Sequence, residues 1–256
     1  MSILVLVGIG VVGLVVGSLL AAVAASWPSY SHLLDHWTYS ETDSLLLRVA
    51  GMLPLLGTMM ALLSRRFVPK PRRRVLLMEL VTGSVYVVMG IKLGIHPFLL
   101  AYLSFFSGLV VLTEIDLEHQ MIPKRIVYIT LLLCAAILII YSLYDGDISR
   151  IIIGAICGIS AFSFFLLIHL IVPSGMGFGD VRLSGLIGGL LGWLRIEDVL
   201  AGIFSAFFLA GIIGLVLLVL PGKTRKTRIP FAPFLSAGAV VAVLWGPLLV
   251  RSWLHL

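Results

Sequence analysis

Charge is scarce in this chain. Only 12% of its 256 residues are Asp, Glu, Lys or Arg, and 60% are hydrophobic; soluble domains carry about a quarter charged residues. So few polar side chains would not cover a soluble surface. With a mean hydropathy of +1.15, the bilayer is the expected solvent. Cysteine is scarce too. Cys134 and Cys157 each lie inside an apolar run, and there is no CxxC pair. This argues against a disulfide framework or a thiolate zinc site, and no metal is expected. Both read as small buried apolar side chains. Basic residues at the extreme N-terminus are lacking as well. The first apolar run, 3–25, therefore reads as a retained span and not as a signal peptide.

What charge there is has a sign and a place. The net charge is +6, with Lys and Arg in short clusters between apolar runs. No basic stretch is large enough for a nucleic-acid fold, so nucleic acid is not an expected partner. The clusters fit the positive-inside rule instead.

A spanning helix needs about 20 apolar residues. The candidates are 3–25, 44–63, 75–93, 97–114, 126–144, 150–172, 182–195, 198–220 and 231–254. The expected fold is all-α, a polytopic transmembrane bundle of eight, possibly nine, spans. Run 44–63 is the least secure, since it contains Arg48 and Pro54. Run 182–195 is short and rich in glycine (Gly185, Gly188, Gly189, Gly192), which suits a tilted helix or one packed tightly inside the bundle. Alternating spans from residue 75 put the clusters at 65–74, Lys124-Arg125, Arg182 and 223–228 on one face, expected to be cytoplasmic. His96, Asp145-Gly146-Asp147 and Glu197-Asp198 fall in loops at the opposite face. The expected division is residues 1–74, an N-terminal span with a polar and apolar insertion, and 75–256, the main membrane domain.

Acids in or beside a span need a reason to be there. Asp116 ends run 97–114 and Asp180 opens run 182–195, so both reach the cytoplasmic face. Two carboxylates sharing such a site keep one proton between them. The ionised one takes a proton from water, and the protonated one polarises a peptide carbonyl and then protonates the leaving nitrogen. Alone, Asp180 would read as a helix cap. Gly175, Gly177 and Gly179 would let the backbone adopt unusual angles and approach another chain closely. Pro123 stops a helix from running through the loop after Asp116. Glu79, buried near the cytoplasmic end of its span, is a candidate for pairing with a base or binding substrate. Arg182 is a candidate for holding substrate, against a plain positive-inside anchor. Glu114 and Glu118 read as a solvated interfacial pair, His119 as an exposed loop residue, and His169 as hydrogen-bonded within the bundle.

Four segments resemble, in order, those of the type IV prepilin peptidase family of bacterial GxGD membrane proteases. Glu79-Leu80-Val81-Thr82-Gly83 is similar to its Glu-Leu-Leu-Thr-Gly. Asp116-Leu117 with Ile122-Pro123 follows its Asp-Leu-x-x-x-x-Ile-Pro. Gly177-Phe178-Gly179-Asp180-Val181-Arg182-Leu183 follows its GxGDxKL, with Arg182 for Lys. Ile229-Pro230-Phe231-Ala232-Pro233-Phe234-Leu235 is similar to its Ile-Pro-Phe-Gly-Pro-Phe-Leu. The resemblance implies a helical membrane protease of the bacterial inner membrane. Asp116 and Asp180 would be the catalytic pair, with Gly177, Gly179, Arg182, Glu79 and Pro123 binding substrate or shaping the site. A prepilin or pseudopilin leader would be cleaved at the cytoplasmic face. The N-terminal third departs from the family: Ala21 stands for its Asn, Ser26-Trp27-Pro28 for its Arg-x-Pro, and its four zinc cysteines are lacking. The family's second activity, N-methylation of the cleaved pilin with S-adenosylmethionine, is therefore in doubt. The rivals are another GxGD protease, of preflagellin peptidase or presenilin-like type, and a non-enzymatic transporter. Ile115 before Asp116 counts against the presenilin-like form, which expects Tyr there. A transporter expects midplane acids and internal repeats, and neither is seen.

Overall fold

The computed structural model describes residues 3–25, 70–173, 176–219 and 230–254. Among them every regular element is a helix: α1 (Ile3–Ala25), α2 (Lys70–Leu93), α3 (Leu99–His119), α4 (Lys124–Asp145), α5 (Ser149–Ile171), α6 (Phe178–Leu194), α7 (Ile196–Val219) and α8 (Ala232–Leu254). Seven of these are long and apolar enough to cross a bilayer. The eighth, α6, has only 17 residues, or roughly 25 Å at 1.5 Å per residue. Exposed leucine, isoleucine and phenylalanine cover most of the outer faces, as on a multi-pass membrane protein. Run 44–63, most of the 65–74 cluster, the 223–228 cluster, Gly175 and Ile229 lie outside the described residues.

The helices form two units, Met1–Ile95 and His96–Leu256. In the first, α1 packs against α2 through glycine. A Cβ on Gly13 would sit 2.8 Å from the Gly83 Cα, and one on Gly17 would sit 2.7 Å from the Glu79 Cα. Ser18, Glu79 and Thr82 are buried in this unit. Glu79 is 2% exposed, as expected of an acid inside a span.

In the second unit, α5 and α6 touch backbone to backbone. A Cβ on Gly154 would lie 3.0 Å from the Gly189 carbonyl oxygen, and one on Gly158 would lie 3.1 Å from that of Gly185. Two glycine pairs spaced by four residues form this contact, the small-residue packing that membrane helices use in place of the hydrophobic effect. Thus the short glycine-rich run is an inner helix. Tyr102, Phe105 and Phe106 of α3 are fully buried, and the Tyr102 hydroxyl donates to the Leu190 carbonyl at 2.7 Å. The Cys134 thiol is buried and donates to the Ala101 carbonyl, so both cysteines are free thiols.

The glycine contacts make α5 antiparallel to α6. Together with the short turns joining α3 to α4 and α4 to α5, they bring the end of α3 and the starts of α4 and α6 to one end of the unit. The opposite end carries the α4–α5 turn and the α6–α7 junction, where the Trp193 indole donates to Ser142 Oγ at 2.9 Å.

Two expectations change here. Helix α3 continues to His119, so Asp116, Glu114 and Glu118 are helical, and His119 is a half-buried last helical residue. Asp198 is not in an exposed loop. It sits in the first turn of α7 at 0% exposure and accepts the Arg195 Nε–H at 3.0 Å. The sequence places it beside a loop, but the close pass of Gly246 over its carboxylate buries it.

Candidate active site

Helix α3 ends where Gln120 takes a left-handed conformation, φ 52°, and its N–H bonds to the Asp116 carbonyl at 2.9 Å. Three residues later Pro123 starts α4 as its N-cap. Proline is tolerated at a helix start because no intrahelical acceptor awaits its missing N–H. Asp116 therefore stands on the last turn of α3, 5% exposed.

A second segment holds its carboxylate. The N–H of Ala232, the first residue of α8, donates to Asp116 Oδ2 at 3.0 Å. The first N–H groups of a helix have no intrahelical acceptor and favour an anion. Pro233 follows, removing a donor that would have had no intrahelical use.

Asp180 is the third residue of α6. Its Oδ2 accepts the Gly177 N–H at 3.2 Å, and its own N–H bonds to the Gly177 carbonyl at 3.1 Å. This is the return half of a capping box. The cap reading of Asp180 is thus correct for one oxygen. The other, Oδ1, is buried and has no hydrogen-bond partner among the described residues.

Glycine joins the two segments. A Cβ on Gly179 would lie 2.7 Å from the Ile122 Cβ, so only glycine lets the turn of α6 reach the 120–123 loop. Asp116 is the charged group that acts on Asp180. Among the described residues no cation pairs with either carboxylate. The two acids, 64 residues apart in sequence, therefore share a site built from the end of α3 and the starts of α6 and α8.

The expectation that the glycines hold unusual angles is overturned where it can be read. Gly177 has φ −73° and ψ 148°, ordinary extended backbone, and Gly179 is helical. Close approach at Gly179 is what the motif supplies. Arg182 lies two residues beyond Asp180, about 200° around the helix. Its guanidinium rests over the Phe178 ring at 4.5 Å. His169 Nδ1 is 2.8 Å from the Met176 carbonyl oxygen, within the bundle as expected. Glu79 belongs to the first unit. The Ala232 donor and the Ile122 contact were not singled out from sequence; the 229–235 and Ile122-Pro123 segments carried the signal without a role. Among the described residues, no three of His, Cys, Asp or Glu are grouped to hold a metal ion.

The sequence profile of the Type IV leader peptidase family matches residues 103–219. Curated relatives are named prepilin leader peptidase/N-methyltransferase. One from Bacillus subtilis is 29% identical over 181 residues, 70% of this chain and 68% of the relative. One from Pseudomonas aeruginosa is 32% identical over 152 residues, 58% of this chain and 50% of the relative. One from Aeromonas hydrophila is 32% identical over 185 residues, 70% of this chain and 60% of the relative. The matched stretch thus spans from half to about two thirds of these relatives' length. No solved structure matches the chain significantly.

Proposed function

We propose that the chain is a member of the type IV leader peptidase family, whose profile matches residues 103–219, and that it acts as a prepilin leader peptidase through Asp116 and Asp180. The observation that carries the reading is the pair of buried carboxylates with no cationic partner among the described residues, Asp116 Oδ2 held by the Ala232 N–H and Asp180 Oδ2 by the Gly177 N–H. Asp180 Oδ1, which has no partner among the described residues, is left to the reactants. One carboxylate, ionised, accepts a proton from the attacking water. The other, protonated, donates to the scissile carbonyl as its oxygen gains charge. As the tetrahedral adduct collapses and the C–N bond breaks, the proton taken from water passes to the leaving nitrogen and the former carbonyl oxygen returns its proton to the second aspartate. Neither a metal nor a nucleophilic side chain takes part in these steps.

The substrate in this reading is a prepilin or pseudopilin, presenting its short leader at the cytoplasmic face of the inner membrane with its apolar helix in the bilayer. The proposed orientation rests on Lys124, Arg125 and Arg182 lying at the aspartate end. We place the peptidase activity in residues 75–256, with Gly179 and Pro123 shaping the site and Gly177 anchoring Asp180. Glu79 and Arg182 are assigned no step in the chemistry. The methylation named for the relatives is not part of this reading, because Ala21 and Ser26 depart from the family pattern. S-adenosylmethionine would enter only with that activity.

The test is co-expression with a prepilin from the same genome, following the mobility shift on leader loss. Wild type should process it, and Asp116→Asn or Asp180→Asn should not. Full processing by either variant would sink the two-aspartate mechanism.

A further inference from the structure

The face of α6 opposite Asp180 forms a second feature. Arg182, Gly185, Gly189 and Trp193 follow one another at helical spacing along a cavity of about 450 Å³ between α4, α5 and α6. Its walls are almost wholly apolar, and the glycines of the α5–α6 contact form part of its floor. Arg182 and Tyr128 line it at the aspartate end, while Trp193 lies at the far end. Lys124, outside the lining, precedes Tyr128 by four residues, so it stands on the same face of α4 at the aspartate end. Among the described residues the Arg182 guanidinium meets the Phe178 ring and no carboxylate.

We propose that this groove is a binding site for an anionic phospholipid, its acyl chain in the cavity and its phosphate between Arg182 and Lys124. Two observations select this occupant. The aspartate end carries Arg182 and Lys124, Arg182 is the sole charged residue of the lining, and Arg150, over Trp193 at the far end, is already paired with Asp147, which complements a lipid and not a uniformly apolar segment. From Arg182 to Trp193 is eleven residues, or roughly 16 Å at 1.5 Å per residue. That is about half the ~30 Å hydrocarbon core, the depth of one leaflet. The groove opens away from Asp180, so the proposal stands independently of the protease reading.

Native mass spectrometry of the full chain released from detergent micelles tests it, with dioleoyl phosphatidylglycerol and dioleoyl phosphatidylcholine as probes. Wild type should retain one phosphatidylglycerol, with a preference over phosphatidylcholine of roughly thirtyfold for two interfacial cations. The double variant Arg182→Gln/Lys124→Gln should reduce that preference to about twofold or less. Ala155, an outward-facing wall residue, tests the cavity itself: Ala155→Phe should abolish retention of either lipid while the helical circular dichroism stays unchanged. Equal binding of the two lipids by wild type would overturn the proposal. So would undiminished phosphatidylglycerol binding in a folded Ala155→Phe protein. Displacement of the lipid by a peptide bearing a prepilin's apolar segment would give the groove to the substrate and overturn it equally.

Discussion

The two ends of the second unit treat their acids in opposite ways. At one end the buried Asp116 and Asp180 take backbone N–H groups and have no cationic partner among the described residues. At the other, Asp198 is paired with Arg195, and Asp147 with Arg150 at 2.8 Å. Arg150 also lies over the Trp193 ring at 5.3 Å. A buried carboxylate without a counter-charge raises the energy of the fold, whereas one with a bonded arginine offsets its desolvation. The paired end fastens α4, α5, α6 and α7 together. At the unpaired end that cost is retained, and the fastening elsewhere allows it.

This contrast breaks most sharply at the aspartates. Asp116→Asn and Asp180→Asn should each lower processing by about a thousandfold or more, as loss of an acid–base group does. Their thermal stability should be equal to wild type or higher, because a poorly compensated buried charge is removed. A variant that loses activity only by unfolding, seen in a melting scan, would contradict the contrast. Next in size is Gly179→Ala, which drives a Cβ against Ile122 and separates the α6 turn from the 120–123 loop. Strain of this kind costs about 1–3 kcal/mol. The loss should appear more in processing rate than in melting temperature, since the displaced groups are the reacting ones.

At the fastened end the order is reversed. Arg195→Ala should destabilise by about 2 kcal/mol, leaving Asp198 buried without its cation; the figure is reduced for the 43% exposure of the arginine side chain. Asp198→Asn should cost less, because the orphaned arginine can reach water. Denaturant unfolding of the two variants checks that ranking, and an equal or opposite order would show that Asp198 is not held by Arg195. The smallest effect belongs to the exposed Asp147, whose carboxyl is held below the usual carboxylate range by the Ser149 hydroxyl first and by Arg150. A depressed folded pKa stabilises above the unfolded value and fades as pH falls through the folded one. Any stability difference between wild type and Asp147→Asn should therefore be present at pH 7 and fade as pH falls through the depressed carboxyl pKa, below the usual carboxylate range.

Much of this was legible in the chain. Apolar runs of about 20 residues announce spanning helices because a backbone in lipid must bond to itself. Eight of the nine runs proposed from sequence correspond to described helices. The two aspartates stood out because acids beside spans are rare, and four short segments in family order tied them to a protease. Other features were not legible. Asp198 looked like any loop acid, because Gly246, the residue that encloses it, is 48 positions away. The boundary of α3 was placed too early because Glu114 and Asp116 broke the apolar run, yet a helix continues through charge until a left-handed residue such as Gln120 ends it. The glycines of the 177–179 motif suggested unusual dihedrals, a local property. What they provide is space against Ile122, which belongs to another segment.

By itself the sequence determined the solvent, the helical class, the alternation of ends and the identity of the two acids. These are one-dimensional consequences of hydropathy, charge and motif spacing. The tertiary structure decided which groups hold those acids. Ala232 reaches Asp116 from 116 residues away, Gly179 lets α6 meet the loop after α3, and Arg195 with Gly246 closes over Asp198. Each of these depends on helices packing at the separation of a hydrogen bond or a methyl group. Helix contacts of that kind are set by the shapes of two surfaces together, and no single segment of sequence contains both.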